Sequence, residues 1–236
     1  MNKMVCLVVI LLSCCLSGFA QGAKKDYPKF EFFVGYSREI TSQGTCGLYS
    51  ADGTGPAKCI ARTSEYIKSD ADYFKPRIAL NGIEASVIRN FNHYFGLKAD
   101  FSAHLKKEMV TAHYAQGTTQ FLAEGQLYQY MAGPEFKARN KSVVTPFAYG
   151  LIGRAHAASR FTGQVIPTAP VLNTGWITTE GLTSALGGGL DFRVSERASL
   201  RSSIDFNPTR ASGAFISGGL GQTQNNIRTS IGVLFH

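Results

Sequence analysis

Two histidines lie close in the sequence to groups that could take part in acid–base chemistry. His156 precedes Ser159 by three positions, the combination that a hydrolase would use. An odd spacing puts two side chains on opposite faces of a strand, so this pair is not predicted to meet. His104 follows Asp100 by four positions and shares its face. A hydrogen-bonded interior histidine is the simpler interpretation of that second pair.

Two glycine-rich runs have only part of a nucleotide-binding signature. Residues 187–189 lack the third glycine and the helix of a dinucleotide fingerprint, and residues 218–223 lack the lysine of a phosphate loop. Glycine inside a strand instead permits tight curvature. No cluster of His, Cys, Asp and Glu has the spacing of a metal site. The sequence therefore predicts no catalytic residue, no cofactor and no metal.

Residues 1–20 have the plan of a cleavable secretory signal. Lys3 precedes an apolar run over 4–12 and a small-residue exit at 18–20, which predicts cleavage after Ala20. A retained membrane helix is the alternative, but the run is shorter than the roughly 20 residues of a span. A lipoprotein site at Cys14 is a second alternative. The expected mature domain is 21–236, exported from the cytoplasm.

Removal of the signal leaves two of the five cysteines, Cys46 and Cys59, in one glycine-rich segment. Disulfides persist in exported proteins, so we expect these two residues to close a loop. Two thiols without a nearby histidine would make a poor zinc site.

The chain is basic, with 24 Lys and Arg against 16 Asp and Glu, yet charged residues make up only 17% of it. A soluble β-protein would carry more Lys and Glu on its surface. The cations do not cluster with aromatic residues as in nucleic-acid-binding proteins, so no nucleic-acid partner is predicted. Phosphate-bearing lipid headgroups, including lipopolysaccharide, are the simpler partners.

Alternating hydrophobicity is the main structural signal. In residues 96–105, Leu97 and Phe101 occupy one parity, while Lys98 and Asp100 occupy the other, which predicts an extended strand. Eight segments alternate in this way: 29–40, 81–90, 94–105, 126–139, 145–158, 183–195, 198–210 and 225–236. In the fifth, Tyr149 is assigned to the apolar face and Arg154 to the opposite one.

The connections between these segments alternate in length. Short ones at 91–93, 140–142 and 196–197 alternate with long ones at 41–80, 107–119, 160–180 and 211–223. This segregation is typical of outer-membrane barrels, which have short periplasmic turns and long extracellular loops. The predicted fold is all-β, an eight-stranded antiparallel up-and-down transmembrane β-barrel with its apolar parity facing lipid.

The polar parity would then fill the lumen, because an eight-stranded barrel is only wide enough for its own side chains. A buried charge without a partner costs several kcal/mol, so the charges must pair. We expect a salt-bridged plug made of Glu84, Lys98, Asp100, His104, Glu135, Lys137, Arg154, His156, Asp191, Arg193, Arg201, Asp205 and Arg228.

Five stretches together resemble the small eight-stranded outer-membrane barrels of Gram-negative bacteria, the OmpA/OmpX-like barrel family. They are YFGLKADFSAHL, MAGPEFKAR, TPFAYGLIGRAHA, ALGGGLDFRVSERASLR and IRTSIGVLFH. The resemblance implies an outer-membrane location and recognition of the last strand by the barrel-assembly machinery. Such an assembly signal would consist of Ile231, Val233 and Phe235, although His236 stands where the family usually has an aromatic residue.

The function expected from these features is a non-enzymatic barrel that supports envelope integrity or surface adhesion. The 41–80 loop is expected to contact lipopolysaccharide phosphates or an external ligand, since it combines cations and aromatic residues. These are Lys58, Arg62, Lys68, Lys75, Arg77, Tyr49, Tyr66, Tyr73 and Phe74. The alternatives are a barrel enzyme modifying lipid A or phospholipid, a narrow channel, and a soluble lipocalin-like carrier. The carrier would need a Gly-x-Trp near the first strand, and the only Trp is Trp176.

Overall fold

The computed structural model describes residues 27–42, 77–114, 117–140, 142–164, 171–173, 175–211 and 223–236. The signal segment, the Cys46 and Cys59 pair and most of the 41–80 loop lie outside the described residues. The strands are β1 (Phe30–Ser42), β2 (Arg77–Asn90), β3 (Phe95–Tyr114), β4 (Gly117–Lys137), β5 (Val144–Gly163), β6 (Leu172–Asn173), β7 (Ile177–Arg193), β8 (Ala198–Ala211) and β9 (Thr223–Phe235). The described part of the chain contains no helix that is long and apolar enough to cross a membrane.

Eight of these strands form a closed antiparallel barrel. Each pairs with its neighbours in chain order, β5 pairs with β7, and β1 pairs with both β2 and β9, which closes the ring. The two-residue β6 pairs only with the end of β5, at Thr162 and Gly163. The predicted eight-stranded up-and-down barrel is confirmed.

The register fixes the tilt of the strands. A path that steps from strand to strand between paired residues, starting at Glu39 on β1, goes once around the barrel and reaches Asn90 on β2. The backbone nitrogen of Asn90 donates to the carbonyl oxygen of Lys29, so the path returns to the first strand ten residues before its starting point. The path runs through Arg228, Asp205, Gly187, Tyr149, Glu135 and Gly96. A stagger of this size in eight strands corresponds to a tilt of about 40° from the barrel axis.

The distribution of polarity is inside out relative to a soluble barrel. On β3, Leu97 is 46% exposed on the outer wall, whereas Lys98 and Asp100 are 1% and 4% exposed in the lumen. Large apolar side chains such as Ile83, Leu186 and Ile204 cover the outside in the same way. The expected orientation of residues 96–105 is confirmed, and the lipocalin-like arrangement with an apolar lumen is not the one observed here.

The parity predicted for the fifth strand was wrong. Tyr149 and Leu151 are buried inside, whereas Ile152 is 69% exposed and Arg154 lies outside. Apolar residues occupy both faces of this strand, so alternation alone does not distinguish them. The pairing does, because cross-strand partners share a face: Tyr149 pairs with the inward Glu135, and Arg154 pairs with the outward Tyr130.

The connection predicted at 107–119 is instead mostly strand. β3 continues to Tyr114 and β4 starts at Gly117, so the two form a long hairpin of 20 and 21 residues. β1 and β9 have only 13 residues each. The outer halves of β3 and β4 lack a strong apolar alternation, which is why the pattern ended too early. Together with the end of β5, the hairpin extends past the shorter strands at the end opposite the short turns.

A charge placed on the outer wall should be costly only within the apolar band. Ile204 is 58% exposed near the middle of β8, and Met109 is 62% exposed in the protruding part of β3. We expect Ile204→Arg to lower the free energy of unfolding in lipid vesicles by about 2–4 kcal/mol. Met109→Arg should change it little. Urea titrations of the two variants test this, and equal losses would contradict the assignment of the band.

Candidate functional site

The lumen contains one ionic cluster near the short-turn end, where residues 91–94, 138–143 and 194–197 connect the strands. Lys137 Nζ lies 2.5 Å from Glu31 Oε2, 3.1 Å from Asp191 Oδ2 and 3.4 Å from Glu135 Oε1. Arg201 bridges the same acids, with Nε 2.7 Å from Asp191 Oδ1 and Nη2 3.2 Å from Glu135 Oε1. Two cations thus hold three carboxylates from β1, β4 and β7 together.

Aromatic rings complete the surroundings of Arg201. Its guanidinium carbon lies 4.0 Å from the centre of the Phe147 ring and 5.9 Å from that of Phe33. A ring face attracts a desolvated guanidinium and leaves its edge hydrogen bonds intact. Phe147 therefore serves as an interior side chain.

A second cluster occupies the middle of the lumen around Arg228 and Lys98. Arg228 Nη1 lies 2.9 Å from Asp100 Oδ1, and Nη2 lies 3.0 Å from Asp205 Oδ2. Lys98 Nζ lies 3.1 Å from Glu84 Oε1 and 3.0 Å from Asp100 Oδ2. In this cluster three acids, Glu84, Asp100 and Asp205, face two cations, and neutral donors supply the difference.

Hydroxyl groups are those donors. The Tyr149 hydroxyl donates to Asp205 Oδ2 over 2.7 Å, and the Ser230 hydroxyl donates to Glu84 Oε2. Lys98 Nζ also lies 4.2 Å from the centre of the Tyr149 ring. Tyr149 thus joins the acids and cations of this cluster, because a buried acceptor needs a hydrogen-bond donor whether or not that donor is charged.

Above these clusters the lumen contains a hydrogen-bond network made mainly of uncharged polar side chains. Gln129 donates to Glu39 Oε1 over 3.0 Å and accepts from Ser102 and Asn207. Farther from the short turns the interior becomes apolar, with a cluster of Ile78, Leu80, Leu127, Ala155 and Ala157. The ionic part of the lumen is therefore bounded by packed apolar side chains.

The same network contains a serine, a histidine and a carboxylate, in which the histidine contacts both of the other two. His104 Nε2 lies 2.9 Å from the Ser37 hydroxyl, and His104 Nδ1 lies 3.4 Å from Glu39 Oε2. A nucleophilic triad has this order of groups. All three residues are 0% exposed, however, and the Ser37 hydroxyl oxygen lies 3.0 Å from that of Ser230, whose one proton is donated to Glu84. As built, the trio is a buried structural network.

Ten of the thirteen predicted lumen residues point inward: Glu84, Lys98, Asp100, His104, Glu135, Lys137, Asp191, Arg201, Asp205 and Arg228. Arg154 and His156 lie outside, where both approach Glu180. They were placed in the lumen because the inward face of β5 was assigned wrongly from the sequence. Arg193 shares the inward parity but is exposed, because it is the last residue of β7 and lies at the barrel rim. These three positions correct the sequence-based set.

The participants missed by that set include Glu31, Ser37, Glu39 and Tyr149. The first three alternate with Phe30, Phe32, Val34 and Tyr36 on β1, so the parity rule applied to the polar residues of that strand finds them. Tyr149 could be found only from its pairing with Glu135. Among the described residues, no three His, Cys, Asp or Glu side chains are grouped to hold a metal ion.

Loss of the central cation should weaken the barrel strongly. Arg228→Met leaves Asp100 and Asp205 without their shared partner, and breaking a buried pair costs about 3–5 kcal/mol. The exposed Arg38 on β1 is the matched control, and Arg38→Met should have little effect. Urea unfolding in vesicles measures both, and a loss for Arg228→Met as small as that of the control would refute the role of the cluster.

No protein-family model and no curated sequence matches this chain. Among solved structures, it is similar to Ail, the attachment invasion locus protein of Yersinia pestis, at 14% identity and a TM-score of 0.47, covering 87% of this chain and 96% of Ail. Neisserial surface protein A is similar at 12% identity and 0.44, covering 88% and 97%. OprG, an outer membrane protein of Pseudomonas aeruginosa, is similar at 11% and 0.42, covering 87% and 94%. Likeness at this level carries no functional conclusion, and the fold assignment depends on the closed register itself.

Proposed function

We propose that this protein is a non-enzymatic outer-membrane β-barrel that supports envelope integrity or surface contact. The observation that carries the proposal is the distribution of charge. Buried cations and acids fill the lumen, while large apolar side chains cover the outer wall. Acyl chains suit such a wall, and a closed barrel leaves no unpaired strand edge in lipid.

The lumen favours a membrane anchor over a channel. The side chains of Lys98, Lys137, Arg201 and Arg228 are at most 2% exposed, and each lies within 3.4 Å of a carboxylate oxygen. An ion crossing the barrel would have to break several buried pairs at once, which is strongly unfavourable. We therefore expect no steady conductance.

The protruding hairpin of β3 and β4 is the best-described surface for contact outside the membrane. It joins Lys107 to Glu124 across the strands, and Arg160 of β5 also pairs with Glu124. Arg160 lies 4.7 Å from the ring centre of Trp176, which is 41% exposed. Because its backbone is already paired, a sheet with cations and an exposed indole can contact a ligand with little ordering of the backbone. Residues 43–76 of the 41–80 loop, also proposed for contact, lie outside the described residues, and Arg77 is the first residue of β2.

The other two proposed partners, the barrel-assembly machinery and outer-membrane lipid, would contact the outer wall. Ile231, Val233 and Phe235 point outward along β9, at 50%, 38% and 49% exposure, where assembly machinery could read them before the barrel closes. His236 turns back to the rim, with Nε2 2.8 Å from the Ser199 hydroxyl and Nδ1 3.3 Å from Glu31. Outer-membrane lipid and lipopolysaccharide are the proposed surroundings of the apolar outer wall.

A serine-directed fluorophosphonate probe tests the non-enzymatic part of the proposal. We expect no labelling of the folded protein, because Ser37 is 0% exposed. A trypsin-family protease in the same reaction is the positive control. Labelling that disappears in Ser37→Ala, while the barrel still forms, would instead support an enzyme that uses the Ser37, His104 and Glu39 trio.

Fractionation of a producing Gram-negative strain tests the location. The protein should appear in the outer-membrane fraction and migrate differently on gels before and after boiling, since a closed barrel resists detergent. Planar bilayers containing it should show no steady current. Recovery of a soluble periplasmic form would overturn the proposal.

A shortened hairpin separates the two proposed roles. Replacing residues 108–123 by Asn-Gly joins the paired Lys107 and Glu124 through a two-residue turn. In a strain lacking the gene, both the wild type and this variant should lower uptake of a hydrophobic dye. Only the wild type should restore attachment to an epithelial monolayer. If the deletion strain and both complemented strains behave alike in the two assays, neither role stands.

A further inference from the structure

Two prolines interrupt the hydrogen-bonded wall of the barrel on one side. A proline has no backbone N–H to donate to a neighbouring strand. On β4, the pairing with β5 skips from Ala132 to Glu135, across Pro134. On β8, the pairing with β7 skips from Thr209 to Phe206, across Pro208. The two gaps are separated only by β5 and β7.

A groove of about 540 Å³ lies between these gaps. Ile152, Leu186 and Phe206 form its outer rim, at 69%, 72% and 47% exposure. Gly150 lies within it, and a Cβ built there meets no atom within 4 Å. The absence of a side chain at Gly150 therefore leaves open space in the apolar outer wall.

The floor of the groove is also apolar. Leu151 and Ala185 line it, and both belong to the interior cluster with Met131, Phe147 and Tyr149. Much of the remaining lumen at this height contains the ionic clusters. An apolar chain in the groove thus contacts mainly apolar side chains, and Ser184 is the polar residue of the lining.

Two exposed cations lie just above the groove. Arg154, Leu182 and Arg210 are successive partners on β5, β7 and β8, two residues beyond the groove on each strand. Arg154 and Arg210 are ten and twelve residues from the short-turn ends of their strands. At about 3.3 Å per residue and a tilt of about 40°, their height is roughly 25–30 Å. This is about the height of the apolar band of a membrane barrel.

We propose that the groove binds one acyl chain of a phosphorylated lipid of the outer leaflet, with Arg154 and Arg210 holding its phosphate. The proposal rests on the proposed membrane location and deepens it by naming one lipid site. Arg154 Nη1 also lies 3.4 Å from Glu180 Oε2, but both side chains are highly exposed, so this pair competes only weakly. The apolar groove matches the acyl chain, and the two arginines above it match the phosphate.

Native mass spectrometry of the detergent-solubilised barrel with purified lipid A tests this site. Gly150→Phe fills the groove, and Ala85→Phe adds the same ring to the outer face of β2. Arg154→Gln with Arg210→Gln removes the phosphate contacts, and Arg38→Gln removes an exposed cation elsewhere. We expect one retained lipid A on the wild type, and binding weakened by about tenfold in the groove variant and in the double variant only.

The outcomes separate this proposal from the membrane proposal. Heat-modifiable migration of every variant reports the barrel itself, independently of lipid retention. If the barrel forms in membranes but Gly150→Phe and Ala85→Phe retain lipid A equally, the groove is not the site. A loss confined to the arginine variants would indicate headgroup contact alone and would also overturn the proposal. A dimer that Gly150→Phe disrupts, with no bound lipid, would assign the groove to a second copy.

Discussion

The pairing of buried charges inside a narrow barrel is the interaction on which this structure depends. The lumen is too small for bulk water, so each cation must find its acids among the strands around it. Arg228 and Arg201 do so by contacting carboxylates from several strands, not only adjacent ones. These contacts join opposite walls of the barrel, whereas backbone hydrogen bonds join only neighbours. The ionic clusters therefore hold the cross-section of the barrel as well as filling it.

This division of roles places different demands on the two faces of each strand. The inner face needs specific partners at specific heights, because a shift of one residue would turn every charge outward. The outer face needs only to be apolar, so its residues can vary as long as they remain apolar. The groove around Gly150 is an exception on the outer face, because there the gaps at Pro134 and Pro208 give the wall a defined shape.

Alternation in the sequence predicts most of the barrel wherever the two faces differ clearly. β3 and β8 are examples, because charged and apolar residues alternate over most of their membrane part. β5 could not be assigned in this way, since Tyr149 and Ile152 are both apolar in character but face opposite sides. The protruding part of β3 and β4 was missed for a related reason. Beyond the apolar band neither face must be apolar, so a strand there has no period-2 signal.

The sequence predicts which residues point into the lumen better than it predicts which of them contact each other. Parity identifies which side chains point inward, but the contact between Arg228 and Asp100 joins β9 to β3, which are not neighbours. Such contacts depend on the stagger of the register around the whole barrel. The groove likewise needs the register, because it arises from gaps in two ladders separated along the chain by more than 70 residues, at Pro134 and Pro208.

The orientation of the wall is the central claim, and spin labels on β3 test it most directly. In a background with Cys46 and Cys59 replaced by Ser, single cysteines at Leu97, Phe101 and Met109 carry the label without disturbing the lumen. In vesicles, labels at 97 and 101 should be relaxed by oxygen dissolved in lipid and protected from a water-soluble nickel complex, while the label at 109 should show the reverse. Access of the nickel complex to positions 97 and 101 would contradict the account.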